Sequence, residues 1–462
     1  MSKRITIDPI TRLEGHGRIH LFLDDAGKVN RACLQVPELR GFEKFCEGRA
    51  VEEMPILTQK ICGVCPTAHH TAASKALDQL FAVEPPPAAK MIRELLYNAF
   101  VFEDHMLHFF FLGGPDLIVG PTAPGEKRNI FGIIEKVGAE TGKKVIEVRN
   151  RVRKEVIGIL AGSATYPVCG LPGGVSKIVS EQERLDIERT ARDAVELAKA
   201  ALQIFHDVAL ANKIYHKLLH SDVFSHRTYY MGLVDEQRKL NFYDGMVRVV
   251  DPEGKEFATF KAEEYLDHLE ERVEPSTYQK ILYLKNVGWK GFVDGKESGV
   301  YRVGPLARLN AAEAIATAGA QAAFERMFDV LGGKPVHNTF AYHWARLIEA
   351  LYAAERMCEL ASDEQVTDPK IRNLPTETPS EGVGVCEAPR GTLFHHYKTT
   401  PDAIVKELNL LVATQNSAAA IAMSVEQAAR AIIQDGKVSD GKLNIVEMAF
   451  RAYDPCLACA TH

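Results

Sequence analysis

Two Cys-x-x-Cys motifs are the residues of this chain best suited to metal chemistry. Cys62 and Cys65 belong to "ICGVCPTAHH", whereas Cys456 and Cys459 belong to "DPCLACATH", in which His462 follows three residues later. Four soft thiolates suit Zn²⁺, an iron–sulfur cluster or a nickel–iron centre. A single motif of this kind is also typical of a redox dithiol, but two together favour a metal site.

The separation of the two motifs indicates which kind of metal site to expect. Zinc ribbons usually place their cysteine pairs about 15–20 residues apart, whereas Cys65 and Cys456 are 391 positions apart. This spacing favours a centre buried where the two ends of the chain meet. Because a terminus stays ordered only when contacts hold it, we expect metal ligation to order a C-terminal segment of residues 440–462.

Three further motifs place a charged side chain beside turn residues. Glu14 lies in "RLEGHGR", Glu43 lies in "RGFEKF" nineteen residues before Cys62, and Arg390 lies in "EAPRG". Each of these residues alone is interpreted most simply as a surface charge. Their occurrence together with the two cysteine pairs favours a functional role.

The overall composition argues against several classes of partner and site. The chain has 462 residues and a formal net charge of −6, without a Lys/Arg-rich block, so nucleic acid is not an expected partner. No signal-peptide core and no run of 18 apolar residues is present, which predicts a cytoplasmic protein without a membrane span. Disulfides are not expected, and five cysteines outside the motifs are interpreted as small buried hydrophobes: Cys33, Cys46, Cys169, Cys358 and Cys386.

The elements that must position these residues follow a mainly helical pattern. Alternation in "RIHLFL" and "VNRACLQV" predicts strands in an N-terminal β segment, 1–50, and "MVRVVDPEGKEFATF" predicts a hairpin in a β-rich insertion, 221–305. A β-like stretch surrounds "GVGVCEAPRGTLFHHYKTT". Ser180 and Glu183 form a capping box that opens one of the predicted helices, which are 88–112, 181–219, 309–331, 339–362 and, as the last, 417–435. We expect one body, 1–462, of the α+β class, mainly α, with a helical core and small peripheral sheets.

Four of these motifs together resemble those of a known enzyme family. With "TRLEGH", "RGFE…ICGVCPTAH", "EAPRG" and "DPCLACATH", the chain resembles the large, catalytic subunit of nickel–iron hydrogenases, in particular the cytoplasmic methyl-viologen-reducing type. The motifs extend to residue 462, so the resemblance covers the whole chain. It implies the large-subunit fold and reversible heterolytic cleavage of H₂ into protons and electrons. In this family a C-terminal tail is removed after the histidine of the last motif, and a chain ending at His462 corresponds to that processed form.

The resemblance also implies roles for the cysteines. Cys62 and Cys456 are expected as terminal nickel ligands. Cys65 and Cys459 are expected to bridge nickel to an iron that bears carbonyl and cyanide ligands. His69 would hydrogen-bond a bridging sulfur and tune it.

Proton transfer and charge at the open face of the metals are assigned in the same way. Cys456 would accept the proton released from H₂, and Glu14 would relay it outward. Arg390 would face the cyanides, where its planar, always charged fork is better suited than lysine. Asp104 and Asp454 match carboxylates that pair with this arginine.

A second metal site is implied near the C-terminus. Glu43, His462 and the main-chain carbonyl near Asn409 match a magnesium site, where some relatives carry iron. Carboxylate and carbonyl oxygens suit Mg²⁺, although a histidine ligand is less typical of it.

Two positions depart from the family pattern. In "VATQ", Ala413 and Thr414 stand where many relatives have Pro-Ser or Pro-Thr contacting cyanide, so only a backbone N–H of Ala413 or the side chain of Thr414 would serve. Cys386, beside Glu387, stands where an aliphatic residue is commoner, and it has either an effect on oxygen sensitivity or a packing role.

The electrons need a route through other chains, because the four paired cysteines are all assigned to the metal centre. The resemblance therefore implies an Fe–S small subunit, with further electron-accepting subunits of the heterodisulfide reductase or diaphorase type. "GPTAPGEK" lacks the Gly-Lys-Ser/Thr ending of a P-loop and is interpreted as a turn. Two alternatives are a respiratory-complex subunit that has lost nickel and a structural zinc protein or assembly scaffold, and elemental analysis separates them.

Overall fold

A computed structural model describes residues 3–462 of the chain. Helices form most of this body, accompanied by small sheets. The helices are α1 Phe42–Cys46, α2 Met54–Leu57, α3 Pro66–Leu80, α4 Pro87–Leu107, α5 Gly114–Ile118, α6 Ile130–Val137, α7 Ala139–Arg151, α8 Gly158–Ala161, α9 Glu181–Ile204, α10 Lys213–Leu219, α11 Tyr265–His268, α12 Pro305–Ala311, α13 Ala318–Val330, α14 Tyr342–Ser362, α15 Ala413–Asn416, α16 Ala418–Ile432, α17 Asp440–Arg451 and α18 Leu457–Thr461. The strands are β1 Lys3–Ile7, β2 Arg18–Leu23, β3 Val29–Gln35, β4 Gly170–Leu171, β5 Gly174–Val175, β6 Tyr229–Val234, β7 Met246–Val250, β8 Glu256–Phe260, β9 Leu269–Arg272, β10 Ile281–Leu284, β11 Tyr301–Arg302, β12 Glu381–Ala388, β13 Gly391–Thr399 and β14 Val405–Leu411.

The helical core is built around α14, which packs against α4 and α9. Side chains on nearly every side of α14 are buried between Tyr342 and Ala354, as expected for a helix in the middle of a core. Helix α4 is also buried along most of its length and carries Asp104. No helix within residues 3–462 combines the length and the apolar character needed to cross a membrane.

Two antiparallel sheets frame the metal-binding motifs. Strands β1, β2 and β3 form one meander, and strands β12, β13 and β14 form another. In β2, Ile19, Leu21 and Leu23 are buried and alternate with more exposed residues, which is the pattern of a strand with one face on the core. Helix α16 packs on β3, and the segment between β1 and β2 carries Glu14.

Close packing of α3 on β12 brings the first cysteine motif to the second sheet. A Cβ atom added to Gly384 in β12 would lie 2.1 Å from the carbonyl oxygen of Ala72 in α3, so glycine is required at this position. Helix α3 begins directly after Cys65, and the turn after β12 carries Arg390. The approach of helix and strand therefore places this thiol and this guanidinium beside the same cavity.

Much of the predicted secondary structure is confirmed, as is the mainly helical α+β class. Strands β2 and β3 pair as expected, and β7 and β8 form the predicted hairpin. The Ser180 hydroxyl accepts from the backbone N–H of Glu183, and the Glu183 carboxylate accepts from the backbone N–H of Ser180 at 2.9 Å. This capping box opens α9, and α14 covers the predicted helix 339–362.

The predicted helix 181–219 is interrupted near its end. Helix α9 continues as a π-helical segment, Phe205–Leu210, and a new helix, α10, starts at Lys213. Asn212 accounts for this restart, because its side chain accepts hydrogen bonds from two backbone N–H groups of the first turn. The predicted helix 88–112 likewise changes to a π-helical segment at His108–Gly113.

Two other helix predictions were wrong in their bounds. The stretch 309–331 divides into α12 and α13, because Glu313 and Ala314 form backbone hydrogen bonds with the loop at residues 238–240 instead of continuing the helix. The helix predicted as the last, 417–435, is followed by α17 and α18. The side chain of Ser439 caps α17, a signal that the sequence contained.

Strands β6 to β11 lie within the predicted insertion, 221–305. Their buried side chains share a hydrophobic cluster with Val383, Val385 and Phe394 of the β12–β13 hairpin. The division of the chain into segments 1–50, 221–305 and 440–462 stays a prediction.

Candidate active site

The two Cys-x-x-Cys motifs meet in one buried site. The Sγ atom of Cys62 lies 3.4 Å from that of Cys456, and the Sγ atom of Cys65 lies 3.3 Å from that of Cys459. All four sulfur atoms lie within 4.8 Å of one another. The structure thus brings together the thiols that the sequence assigned to one site, although 391 positions separate the two motifs.

Local backbone structure orients the first pair of thiols. Cys65 is the N-cap residue of α3, which continues with Pro66. The backbone N–H groups of Val64 and Cys65 point at the Sγ atom of Cys62, at 3.3 and 3.0 Å. Donors of this kind, together with a helix N-terminus, stabilise a thiolate.

Burial determines the protonation of the second pair. It raises the pKa of Cys456 and of Cys459 well above the ordinary range of a thiol. At Cys62, burial acts in the same direction, but hydrogen bonds from the neighbouring thiols outweigh it and lower the pKa. The cluster without metal therefore holds thiol protons, and metal binding must release them.

Glu14 contacts the second cysteine motif through both its side chain and its backbone. Its Oε2 atom accepts a hydrogen bond from the Cys456 thiol at 2.9 Å and from the N–H of Ala458 at 3.2 Å. The backbone N–H of Leu457 donates to the Glu14 carbonyl at 3.0 Å. Burial, and then the negative charge of Cys62, raise the pKa of Glu14, which suits a carboxyl group that exchanges protons near neutral pH.

Arg390 is held between two buried carboxylates. Its Nη1 atom lies 3.1 Å from Asp104 Oδ2, and its Nη2 atom lies 3.0 Å from Asp454 Oδ2. Burial opposes the charge of Arg390, but these two carboxylates raise its pKa well above the ordinary range. Burial also raises the pKa of Asp454, to about 7. Asp454 has a φ of 54°, in the left-handed region that aspartate tolerates better than most residues.

Sequence analysis missed a second buried cation behind this arrangement. Arg346 is fully buried in α14, and its Nη2 donates to the Ala452 carbonyl at 2.9 Å. Burial lowers the pKa of Arg346 to about 10, although Asp454 opposes the shift. The available signal was an arginine within the apolar helix "HWARLIEALY".

A small enclosed cavity separates Arg390 from the thiols of Cys65 and Cys459, and Ala413 and Thr414 also line it. The Thr414 hydroxyl accepts the backbone N–H of Cys456 at 3.0 Å, so its own proton stays available for donation. Ala413 has no side-chain donor, and Thr414 is therefore the hydroxyl at this position.

His69 contacts the cluster from the opposite side. Its Nε2 atom lies 3.6 Å from the Sγ atom of Cys459, and its Nδ1 atom lies 3.1 Å from Nε2 of His395. The neighbouring His70 instead bonds the carbonyl of Pro55 at 3.0 Å and the N–H of Gly170 at 2.9 Å. His70 is thus fully used in structural contacts.

Cys386 does not line the cavity beside the thiols. Its Sγ atom accepts a hydrogen bond from the Tyr97 hydroxyl at 3.2 Å. The next residue, Glu387, forms a buried ion pair with Arg308 at 2.9 Å. These contacts favour the packing role for Cys386.

Glu43 and His462 approach each other on the far side of the C-terminal motif. The Nε2 atom of His462 lies 3.8 Å from Glu43 Oε1, too far for a hydrogen bond. Lys280 Nζ lies 3.8 Å from Glu43 Oε2, and the N–H of Leu410 donates to Oε1 at 2.9 Å. Burial opposes ionisation of Glu43, but His462, Lys280 and Leu410 together lower its pKa, so the carboxylate is available to a cation.

Strand register corrects the predicted main-chain ligand. In an antiparallel ladder, the N–H and C=O of one residue point to the same side. Because the Leu410 N–H points at Glu43, its own carbonyl also points to that side, whereas the carbonyl of Asn409 points to its partner His396 in β13. The Asn409 side chain instead donates to Tyr265 at 2.8 Å. Leu410 therefore replaces Asn409 as the candidate carbonyl.

The donor set fits a nickel–iron centre better than structural zinc. A structural zinc site is closed by its four ligands. Here a cavity with a fixed positive charge adjoins only Cys65, Cys456 and Cys459 of the four cysteines, which leaves space beside the sulfur atoms for a second metal ion with small ligands of its own.

Comparison with known proteins gives the same result. The family described as nickel-dependent hydrogenase matches residues 40–157 and 294–462, and a family described as HoxL-like matches residues 4–39. The chain is 48% identical to the iron-sulfur subunit of the F420-non-reducing hydrogenase of Archaeoglobus profundus, covering 100% of this chain and 94% of that protein. It is 35% identical to the NAD-reducing hydrogenase HoxS subunit beta of Cupriavidus necator, covering 100% and 95%. A crystal structure of an NAD⁺-reducing NiFe-hydrogenase in the H₂-reduced state matches with a TM-score of 0.93 and 37% identity, over 100% of both chains.

These similarities extend over the whole chain and confirm the predicted family, fold and enzyme class. They include relatives of the F420-non-reducing, methyl-viologen-reducing type. The retention of all four thiols in one site disfavours a respiratory subunit that has lost nickel. The chain belongs to the nickel-dependent hydrogenases, as a large, catalytic subunit of an oxidoreductase acting on H₂.

Proposed function

We propose that the four-thiol site holds a nickel–iron centre at which this chain catalyses reversible heterolytic cleavage of H₂. The observation that carries the proposal is the placement of one carboxyl group, Glu14, on a cluster thiol and of one guanidinium, Arg390, across the adjoining cavity. The bound metals would polarise H₂ and take up its electrons. The protein supplies the thiolates, the proton acceptor and the buried charge.

Cys456 and Glu14 form the first step of the proton path. The 2.9 Å contact between Cys456 Sγ and Glu14 Oε2 is short enough for direct transfer. The N–H of Ala458 holds the same oxygen and keeps the carboxyl group in this orientation. Because Glu14 is only partly buried, it can pass the proton outward.

Arg390 fixes positive charge beside the metals. A charge that cannot be lost and that is already ordered by Asp104 and Asp454 needs no reorganisation during turnover. The guanidinium also offers N–H donors to anionic ligands, so it supports an iron that carries carbonyl and cyanide. The Thr414 hydroxyl and the Ala413 N–H would be further donors.

The position of the cavity supports a division of labour among the thiols. Cys65 and Cys459 line the cavity, as does Cys456, whereas Cys62 does not. We assign Cys65 and Cys459 as bridging ligands between nickel and iron, with Cys62 and Cys456 as terminal nickel ligands. His69 would donate a hydrogen bond to Cys459.

A second cation, Mg²⁺ or iron, would bind between Glu43 and His462, with the carbonyl of Leu410. The 3.8 Å separation of the two side chains suits a shared ion rather than a direct bond. This ion would join the C-terminal residue to α1, where the N–H groups of Gly41 and Phe42 already bind the His462 carbonyl.

The electrons would leave through a partner. We propose an Fe–S small subunit, supported by the names of relatives that are subunits of larger hydrogenases. Further acceptor subunits, of the heterodisulfide reductase or diaphorase type, and a cytoplasmic location complete the proposal. No role for nucleic acid is expected.

Isotope exchange tests the heterolytic step separately from electron transfer. The purified complex, given D₂ in H₂O without an electron acceptor, should form HD, because one deuteron passes to an exchangeable protein group. With H₂ and methyl viologen it should also reduce the dye. A nickel-loaded preparation that forms no HD would contradict the proposal.

A further inference from the structure

A chain of buried polar side chains leads away from the metal cluster behind His69. From Cys459 Sγ, the contacts run to His69 Nε2 at 3.6 Å, from His69 Nδ1 to His395 Nε2 at 3.1 Å, and from His395 Nδ1 to the Tyr397 hydroxyl at 2.6 Å. All four residues are at most 1% exposed. His395 and Tyr397 lie two positions apart in β13, and side chains at that spacing point to one face of a strand.

Each contact in this chain has room for one proton. In the described part of the protein, neither ring is paired with a carboxylate, and an unpaired charge buried this deeply is costly. Both imidazoles are therefore neutral, and each has one N–H donor and one acceptor nitrogen. The tautomer of one ring then dictates the tautomer of the other.

Two directions of donation satisfy these contacts. In one direction, Tyr397 donates to His395 Nδ1, His395 Nε2–H donates to His69 Nδ1, and His69 Nε2–H points at the sulfur. In the other, every donor is reversed, Tyr397 donates to Thr58, and a bare His69 lone pair faces Cys459. A metal-bound thiolate can only accept, so it is compatible with the first direction alone.

We propose that His395 and Tyr397 are positioning residues that hold His69 as the Nε2–H tautomer, donating to Cys459. The tyrosine hydroxyl anchors the chain, because it is the donor that makes His395 Nδ1 an acceptor. Outer residues of this kind commonly set the orientation and basicity of a metal ligand. The inference rests on the proposed function only in that Cys459 is metal-bound.

Nitrogen NMR of the histidine-labelled holoprotein in a diamagnetic state reads the tautomers directly. We expect His69 and His395 both to carry the proton on Nε2. A His69 proton on Nδ1 in the metal-loaded protein would overturn the inference. Because any bound metal makes the sulfur an acceptor, finding zinc instead of nickel would refute the proposed function and leave this expectation unchanged.

Variants separate positioning from simple packing. Tyr397→Phe should keep the metals but let His395 change tautomer, and HD formation should fall about two- to tenfold, the range expected for losing one neutral hydrogen bond. Tyr215→Phe is the matched control, because it removes another fully buried hydroxyl, which bonds the Phe340 carbonyl at 2.8 Å. Equal effects of the two variants on the NMR signals and on HD formation would contradict the inference.

A pair of substitutions at His395 gives a second test if Tyr397→Phe folds poorly. His395→Gln keeps an N–H donor for His69 Nδ1, whereas His395→Leu removes it at similar size. The glutamine variant should retain the Nε2–H tautomer of His69 and most of the exchange activity. Loss of that tautomer in the glutamine variant to the same degree as in the leucine variant would show that His395 does not act through its donor.

Discussion

The Oε2 atom of Glu14 lies 2.9 Å from the Sγ atom of Cys456, although 442 positions separate the two residues. The bridge between their backbones holds the pair in register. A carboxyl group with a raised pKa therefore touches one thiol of a four-thiol cluster. This contact gives a proton on the sulfur a defined first acceptor.

Replacing Glu14 by glutamine should interrupt proton transfer without disturbing the metals. Gln has nearly the same shape and still accepts from the Ala458 N–H, but it cannot carry a proton. We expect Glu14→Gln to retain nickel and iron and to lose HD formation by about a hundredfold or more.

The control for this variant is Glu38→Gln. Glu38 accepts from the backbone N–H of His16 at 2.6 Å and so anchors the same loop, but it does not touch a thiol. If Glu14 only anchored the loop, both variants would exchange at similar, near-normal rates, and the proton would have to leave through another residue.

Cys456→Ser should remove nickel and loosen the C-terminal segment. Burial raises the pKa of this thiol, so its ligation depends on the metal, and a structural metal site is worth on the order of 10 kcal/mol. Nickel content and protease sensitivity of residues 440–462 measure the two effects. Cys386→Ser, a buried thiol outside the cluster, should keep both properties, and full nickel with normal turnover in Cys456→Ser would exclude this ligand assignment.

Arg390→Lys should assemble the metals yet turn over at least about tenfold more slowly. Lysine cannot contact Asp104 and Asp454 at once with a planar fork, so the fixed geometry of the charge is lost. Arg356→Lys, in a partly exposed ion pair with Glu94, is the control. Activity of Arg390→Lys within twofold of the unchanged protein would assign Arg390 a purely structural role.

Buried histidines should make the protein less stable in mild acid. Burial lowers the pKa of His105 and of His226 to about 4, below the value of about 6.5 in an unfolded chain. Between these values the unfolded state binds more protons, so stability falls as the pH drops below 6.5. Each group can contribute up to about 2 kcal/mol at pH 5.

Unfolding midpoints at pH 7 and pH 5 test this pH dependence. The midpoint should fall on acidification, and His226→Gln should reduce the fall because glutamine does not titrate. His16→Gln, at an exposed position, should leave the fall unchanged. An identical fall in all three proteins would show that His226 does not contribute.

The cysteine motifs, Glu14, Glu43, Arg390 and His462 were readable from sequence because each stands in a short motif of distinctive residue types. The carbonyl of Leu410 was not, because a one-residue shift in strand register decides which carbonyl faces Glu43. The break between α12 and α13 was missed because pairing with a distant loop outweighed local helix preference. The alternation of His395 and Tyr397 in "FHHYK" was visible, but its link to His69 required the packing of α3 on β13.

X-ray absorption at the nickel edge of the purified complex tests the central claim most directly. The account predicts close to one nickel per chain, bound by sulfur ligands from Cys62, Cys65, Cys456 and Cys459, with an iron atom as a near neighbour. Nickel surrounded by nitrogen and oxygen ligands, or zinc in place of nickel at the four thiols, would contradict it.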